Sequence, residues 1–253
     1  MIEIKNISKS FGNNKVIDDV SFVLQQGKTN LVIGESGSGK TTTLKMMVGL
    51  HTVDSGQIIY DKVVFNELNE KQKQDFRKDI GMLFQGGALF DSMTVEENIG
   101  FALKMFTQLS DKEITDRVNF CLEKVRLHDR NNLYPAELSG GMKKRAALAR
   151  AIVSNPKYLF CDEPNSGLDP KTSIIIDELI HELTVEFNMT TVIITHDMNS
   201  VMQIGENVVF LYQGKKWWEG NNQTILDTNN KELLDFVYAA NFLKKTNPNK
   251  NLK

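Results

Sequence analysis

Cysteine is nearly missing from this chain. Cys121 and Cys161 are the only two in 253 residues, too few for a disulfide framework and in keeping with a reducing compartment. Long apolar runs are missing as well. No stretch approaches the roughly 20 residues needed to cross a bilayer, so any membrane role must come through a partner. The opening segment "MIEIKNISKSF" has an early Glu3 and no apolar block, unlike a secretory leader. Basic charge is not in excess: 30 Lys and Arg stand against 32 Asp and Glu, a formal net charge of -2. That argues against a general nucleic-acid binder. Internal repeats and low-complexity tracts are absent. What is present, 41% hydrophobic and 25% charged residues, is ordinary for a globular protein with a real core, and a cytoplasmic one is expected.

The segments "MIEIKNI" and "VSFVL" alternate apolar and polar residues, as half-buried strands do. "TNLVIG" (Thr29–Gly34), "KYLFCDE" and "TVIITHD" are short apolar runs of the buried-strand kind. Helical patterns cover Lys40–Gly49, Asp111–Arg126, Ser139–Ser154 and Lys171–Phe187. Strands alternating with helices predict an α/β core with parallel strands. Thr94 to Leu138 shows no buried strand and reads as a helical insertion. "VVFLYQGKKWWEG" reads as a closing hairpin, with Trp217 and Trp218 turning one face to the core. Asn230–Leu243 has apolar residues at helical spacing, followed by a basic, polar tail.

"GESGSGKTT" (Gly34–Thr42) matches the P-loop pattern between a strand and a helix. Gly34, Gly37 and Gly39 let the backbone turn its N–H groups toward one anion, and the following helix adds its positive end. Lys40 suits bridging the β- and γ-phosphates, and Thr41 offers a hydroxyl to Mg2+. Ser36 and Thr42 complete the expected contacts with ATP. At the end of "YLFCDEP", Asp162 supplies a carboxylate for the magnesium, and Glu163 is placed to take a proton from the attacking water. A third signal is "LSGGMKKRAALARA" (Leu138–Ala151). Ser139, Gly140 and Gly141 open a helix and so make a second anion-binding start. Two such starts in one chain make sense if the second completes the nucleotide site of another subunit.

These motifs, in this order, resemble those of the ATP-binding cassette (ABC) ATPases, from about Met1 to Gly220. The resemblance implies a P-loop NTPase core with a mostly parallel sheet, an antiparallel β-subdomain and a helical subdomain at about 94–154, within a domain of residues 1–220. Residues 221–253 then form a C-terminal helical extension and tail. It also implies that Gln85 reaches Mg2+ and the attacking water and that His196 holds the γ-phosphate. Phe11 would stack on adenine, while Ser166, Gly167 and Asp169 would run between two copies joined head to tail around two ATP molecules.

The stretch after Gln85, "GGALFDSMTVEENI", falls where ABC transporters receive a coupling helix from the membrane permease. Leu89, Phe90, Met93 and Val95 are expected to line that groove, with Asp91, Glu96 and Glu97 at its rim. "GALFDSMTVEENI" with "LSGGMKKR" also resembles the ATPase of Mla/Mce-type phospholipid transporters, whose partners are a permease, an Mce-type lipid-binding protein and often a STAS-domain protein. Gly86 and Asn165 depart from the usual Ser and Thr of those relatives. The expected function is therefore an ATPase subunit on the inner face of the cytoplasmic membrane, powering phospholipid transport. The alternative is the ATPase of an importer for amino acids or similar small solutes. A soluble ABC ATPase acting on DNA or ribosomes usually carries two cassettes or a long coiled-coil insertion, and neither is present here.

Overall fold

The computed structural model describes residues 1–239. Along the chain come β1 (Ile2–Phe11), β2 (Asn14–Leu24), β3 (Thr29–Ile33), α1 (Lys40–Met47), β4 (Ser55–Tyr60) and β5 (Val63–Val64). Then follow α2 (Glu70–Phe76), β6 (Ile80–Leu83), α3 (Val95–Phe106), α4 (Asp111–Lys124) and α5 (Gly140–Ile152). The last elements are β7 (Tyr158–Asp162), α6 (Pro170–Glu186), β8 (Thr190–Thr195), α7 (Met198–Ile204), β9 (Asn207–Tyr212), β10 (Lys215–Gly220) and α8 (Lys231–Ala239). The helix expected over Asn230–Leu243 is seen as α8; its end and the basic tail lie outside the described residues.

The chain divides into two units. The first comprises Met1–Gln25, Thr29–Glu67 and the described residues from Ile194 onward. Here β1 pairs antiparallel with β2 and β4, giving the sheet order β2-β1-β4-β5. Ile2 and Ile4 are buried at period 2, and a register shift beyond Ile4 places the buried Ile7 three positions on. In the same unit β9 runs parallel to β3 and antiparallel to β10. β3 is buried along its whole length, as a strand covered on both faces must be. Helix α8 docks through Leu233, Phe236 and Val237, with the Phe236 ring 5.5 Å from Phe210 of β9.

One expectation fails on this hairpin. Trp217 is 42% exposed and Trp218 is only partly covered, so the pair does not turn a face to the core. A register shift between Lys216 and Trp218 re-aims the strand. Trp217 instead packs beside Tyr212 and donates its indole N–H to Glu232 of α8 at 3.1 Å.

The second unit is Gln26–Lys28 with Leu68–Ile193. β6 and β7 pair in parallel from Ile80 opposite Tyr158 to Leu83 opposite Cys161. β6, four residues long, is a strand that the sequence pattern did not suggest. Helices α3, α4 and α5 pack on one another, as expected for the helical insertion. Capping boxes start α3 (Thr94 with Glu97) and α4 (Ser110 with Glu113), each satisfying two orphan N–H groups.

The stretch "GALFDSMT" is held to α3 by one buried side chain. Asn98 accepts from the Phe90 N–H at 2.7 Å through Oδ1. Its Nδ2 donates to the carbonyls of Phe90, Met93 and Thr94, each at 3.0 Å. Asn98 is fully buried, so an alanine there would strand several polar groups away from water. Asn98→Ala should cost about 2–4 kcal/mol and lower the melting temperature by about 5–10 °C. A melting curve within about 1 °C of the parent would show that the turn is held by other means.

Candidate nucleotide site

In the first unit the loop Gly34–Gly39 joins β3 to α1. Gly34 takes φ 149°, and a Cβ there would lie 2.3 Å from the Leu211 carbonyl oxygen. Gly37 and Gly39 take φ 82° and 100°. Gly37 has open space where its Cβ would be, so the loop wraps an opening rather than its own core. Lys40 is buried and donates Nζ to the carbonyls of Gly34 at 2.7 Å and Glu35 at 2.8 Å. The Ser38 hydroxyl is buried without a hydrogen-bond partner among the described residues. The first turn of α1 carries no acidic side chain. Glycines at positive φ, an orphaned hydroxyl, a fixed ammonium and a positive helix end together fit a phosphate chain.

Thr41 is exposed and Thr42 partly so; Ser36 and Gly37 are exposed on the loop. His196 follows β8 in this same unit and is exposed. Phe11 stands at the tip of the β1–β2 hairpin, 45% exposed. Its ring edge meets His51 at 5.3 Å, and the Lys9 ammonium sits 5.6 Å from its centroid.

The second unit holds the remaining candidates. Asp162 ends β7, and Glu163 follows with φ 48°, a left-handed backbone rare outside glycine. Such strain persists only where the surroundings enforce it, and it clusters at functional sites. The loop beyond is tied down from α6. Asn165 donates to the buried Asp177 at 2.8 Å, and Asp169 caps α6 by accepting from the N–H groups of Lys171 and Thr172 at 3.1 Å. The Thr172 hydroxyl and these amides hold the exposed Asp169 carboxyl below its usual pKa. Gln85 is exposed and donates Nε2 to the Ser166 hydroxyl at 3.3 Å. Gly167 is exposed at φ 79°. Ser139 caps α5, accepting from the Met142 N–H at 3.3 Å, and lies exposed with Gly140. Gly141 is fixed by packing, because a Cβ there would stand 2.5 Å from Thr172 Cγ2.

The residues expected to line a partner groove differ in exposure. Phe90 is 46% exposed and its ring lies 5.2 Å from Phe101; Asp91 is exposed, while Leu89 and Met93 are half-buried. Val95 does not line a groove. It is fully buried in the first turn of α3, the position where an apolar side chain finds the helical core. Glu96 is no free rim charge either: it accepts from Thr115 Oγ1 and Asn131 Nδ2, each at 2.9 Å. Glu97 is exposed, but its carboxylate accepts from the Thr94 N–H within the capping box. A polar cavity of about 760 Å³ beside Glu96, Asn119, His128 and Asn131 includes none of the expected nucleotide residues.

Two residues that the sequence reading passed over bear on this unit. Lys144 and Arg150 sit in "KKRAALAR", where a basic run reads as a solvated helix face. Both instead turn toward the segment after β6: Lys144 Nζ donates to the Gln85 carbonyl, and Arg150 donates to the Gly87 and Ala88 carbonyls at 2.7 and 2.6 Å.

A P-loop cradle, a carboxylate pair ending a buried strand and a Ser-Gly-Gly helix start define an ATP-binding cassette. Residues 17–166 match the family model described as ABC transporter, and the chain belongs to that family. It is 37% identical over 260 aligned positions to the methionine import ATP-binding protein MetN of Campylobacter jejuni, covering 96% of this chain and 77% of that one. It is 35% identical to the "Probable ribonucleotide transport ATP-binding protein mkl" of Mycobacterium leprae, covering 93% and 68%. Among solved structures, the dimeric ATP-binding cassette MJ0796 bound to ADP and Pi superposes with a TM-score of 0.80 at 31% identity, covering 88% of this chain and 99% of that one. The protein is thus an ATPase of the ABC α/β fold, using ATP and Mg2+. No helix among the described residues is long and apolar enough to cross a membrane.

Proposed function

We propose that this chain powers an importer for an amino acid or similar small solute, working on a membrane permease as a head-to-tail pair with a second copy of itself. The observation that carries the pairing is the presence of two anion-binding helix starts in one chain. One is the loop and helix start at Gly34–Thr42; the other is the turn Ser139–Gly141, with Ser139 and Gly140 exposed. In this reading the cassette spans residues 1–220, and 94–154 form its helical subdomain. Lys40 and the loop amides bind the phosphates, Phe11 takes the adenine, and Ser139, Gly140 and Gly141 close over the partner copy's nucleotide. Ser166, Gly167 and Asp169 line the contact between copies.

Glu163 takes a proton from the attacking water, His196 holds the γ-phosphate, and Gln85 reaches Mg2+ and that water. Thr41, Gln85 and Asp162 would hold Mg2+, all through oxygen atoms, as a hard cation prefers. When bound, the ion offsets the charge that builds on the phosphate oxygens. No group of three or more His, Cys, Asp or Glu side chains is set to hold a metal among the described residues.

The cargo class rests on the methionine importers among the relatives, at 37% identity to this chain. A second reading, phospholipid transport with Mce-type and STAS-domain partners, keeps the support of "GALFDSMTVEENI" (87–99). Affinity capture of the tagged chain from membranes of its own cell separates them. A permease of the amino-acid importer kind is the expected companion. Recovery with an Mce-type lipid-binding protein would replace the cargo assignment, and recovery with no membrane protein would remove the transporter role.

A further inference from the structure

The segment from Phe84 to Phe90 leaves β6 and enters the turn before α3. Within it the Gly87 N–H donates to the Phe84 carbonyl at 2.8 Å. Its conformation is costly: Gly87 takes φ 75° and Ala88 takes φ 49°, and the left-handed region disfavours alanine. Three of its carbonyls are gripped by cations from α5. Lys144 takes that of Gln85, and the Arg150 guanidinium forks onto those of Gly87 and Ala88.

Lys144 is the informative member. It is only 6% exposed, and burying an ammonium is expensive unless it is bonded. Burial lowers its pKa, while Cys161, Glu163 and Asp162 push it back up. An unbranched apolar side chain would fill the same space at less cost, so the charge needs a reason. The Gln85 carbonyl supplies one. Ser139 and Lys144 are five positions apart on one helix, about 7.5 Å along its axis at 1.5 Å per residue. The helix that begins at the Ser-Gly-Gly turn therefore also holds the backbone of Gln85, whose side chain reaches Ser166.

We propose that Lys144 is a positioning residue for Gln85, fixing its side chain through the carbonyl and linking its placement to whatever binds at the start of α5. This rests on the reading of Gln85 given above. The test uses the full chain with Lys144→Met, Lys144→Arg, Gln85→Ala and the double variant Lys144→Met/Gln85→Ala. In nucleotide-free protein, Lys144→Met should speed hydrogen exchange of the Gly87 amide at least about tenfold, and Lys144→Arg should restore it. In hydrolysis, Lys144→Met should lower kcat about tenfold and leave the KM for ATP within about twofold. The double variant should be no slower than Gln85→Ala alone, since groups acting as one unit do not add. Unchanged exchange, unchanged kcat, or losses that multiply in the double variant would each overturn the proposal. Gln85→Ala at parental kcat would instead locate the failure in the role of Gln85, leaving the exchange result to decide whether the clamp exists.

Discussion

Glu163→Gln is expected to lower steady-state ATP hydrolysis by at least about 100-fold, and by up to about 10,000-fold, the range that a positioned general base contributes. The substitution keeps the size of the side chain and removes only its ability to accept a proton. It leaves the backbone at φ 48° as it is, so the comparison isolates the carboxylate. Nucleotide affinity should persist, and with ATP bound the variant should accumulate as a dimer on size-exclusion chromatography. Hydrolysis within about threefold of the parent would remove Glu163 from the chemistry and leave its backbone strain unexplained.

Lys40→Ala should act on binding itself. A hydrogen bond to a charged group is worth about 1.5–3 kcal/mol, so loss of its phosphate contacts should raise the Kd for ATP by about 10- to 150-fold. Without phosphates in place, the ammonium already satisfies the Gly34 and Glu35 carbonyls. Phosphates must therefore compete with two intraloop bonds, which keeps the gain well below that of an unpaired charge. The same bonds predict that the variant loosens its empty loop. Calorimetric titration with ATP settles the matter: an affinity within about threefold of the parent would show that the cradle binds through its amides alone.

Much of this architecture was legible in the residues. Glycines at Gly34, Gly37 and Gly39 sit at the offsets of a phosphate loop, and the buried strand before them was plain from its apolar run. An antiparallel β-subdomain came from resemblance instead, since alternation reveals a half-buried strand but not its neighbour, and β4 was not read as a strand at all. β6 escaped notice because four residues cannot establish a period. The errors at Val95 and Glu96 share one cause: residues beside a recognised motif were read as surface. The pattern Thr94-x-x-Glu97 marks a capping box, and it puts Val95 in the first turn of a helix that must bury an apolar face. Lys144 was illegible for a different reason. A lysine in a basic run reads as solvated, and nothing in a sequence says which cation turns inward.

The contact between Gly141 and Thr172 changes how variants in this turn ought to be interpreted. Loss of function in Gly141→Ala would not by itself report on nucleotide contact, since the added methyl collides with its neighbour at 2.5 Å. Trimming Thr172 to serine deletes the obstructing carbon yet retains the hydroxyl that Asp169 accepts. Only in that background does alanine at this position separate steric exclusion from chemistry.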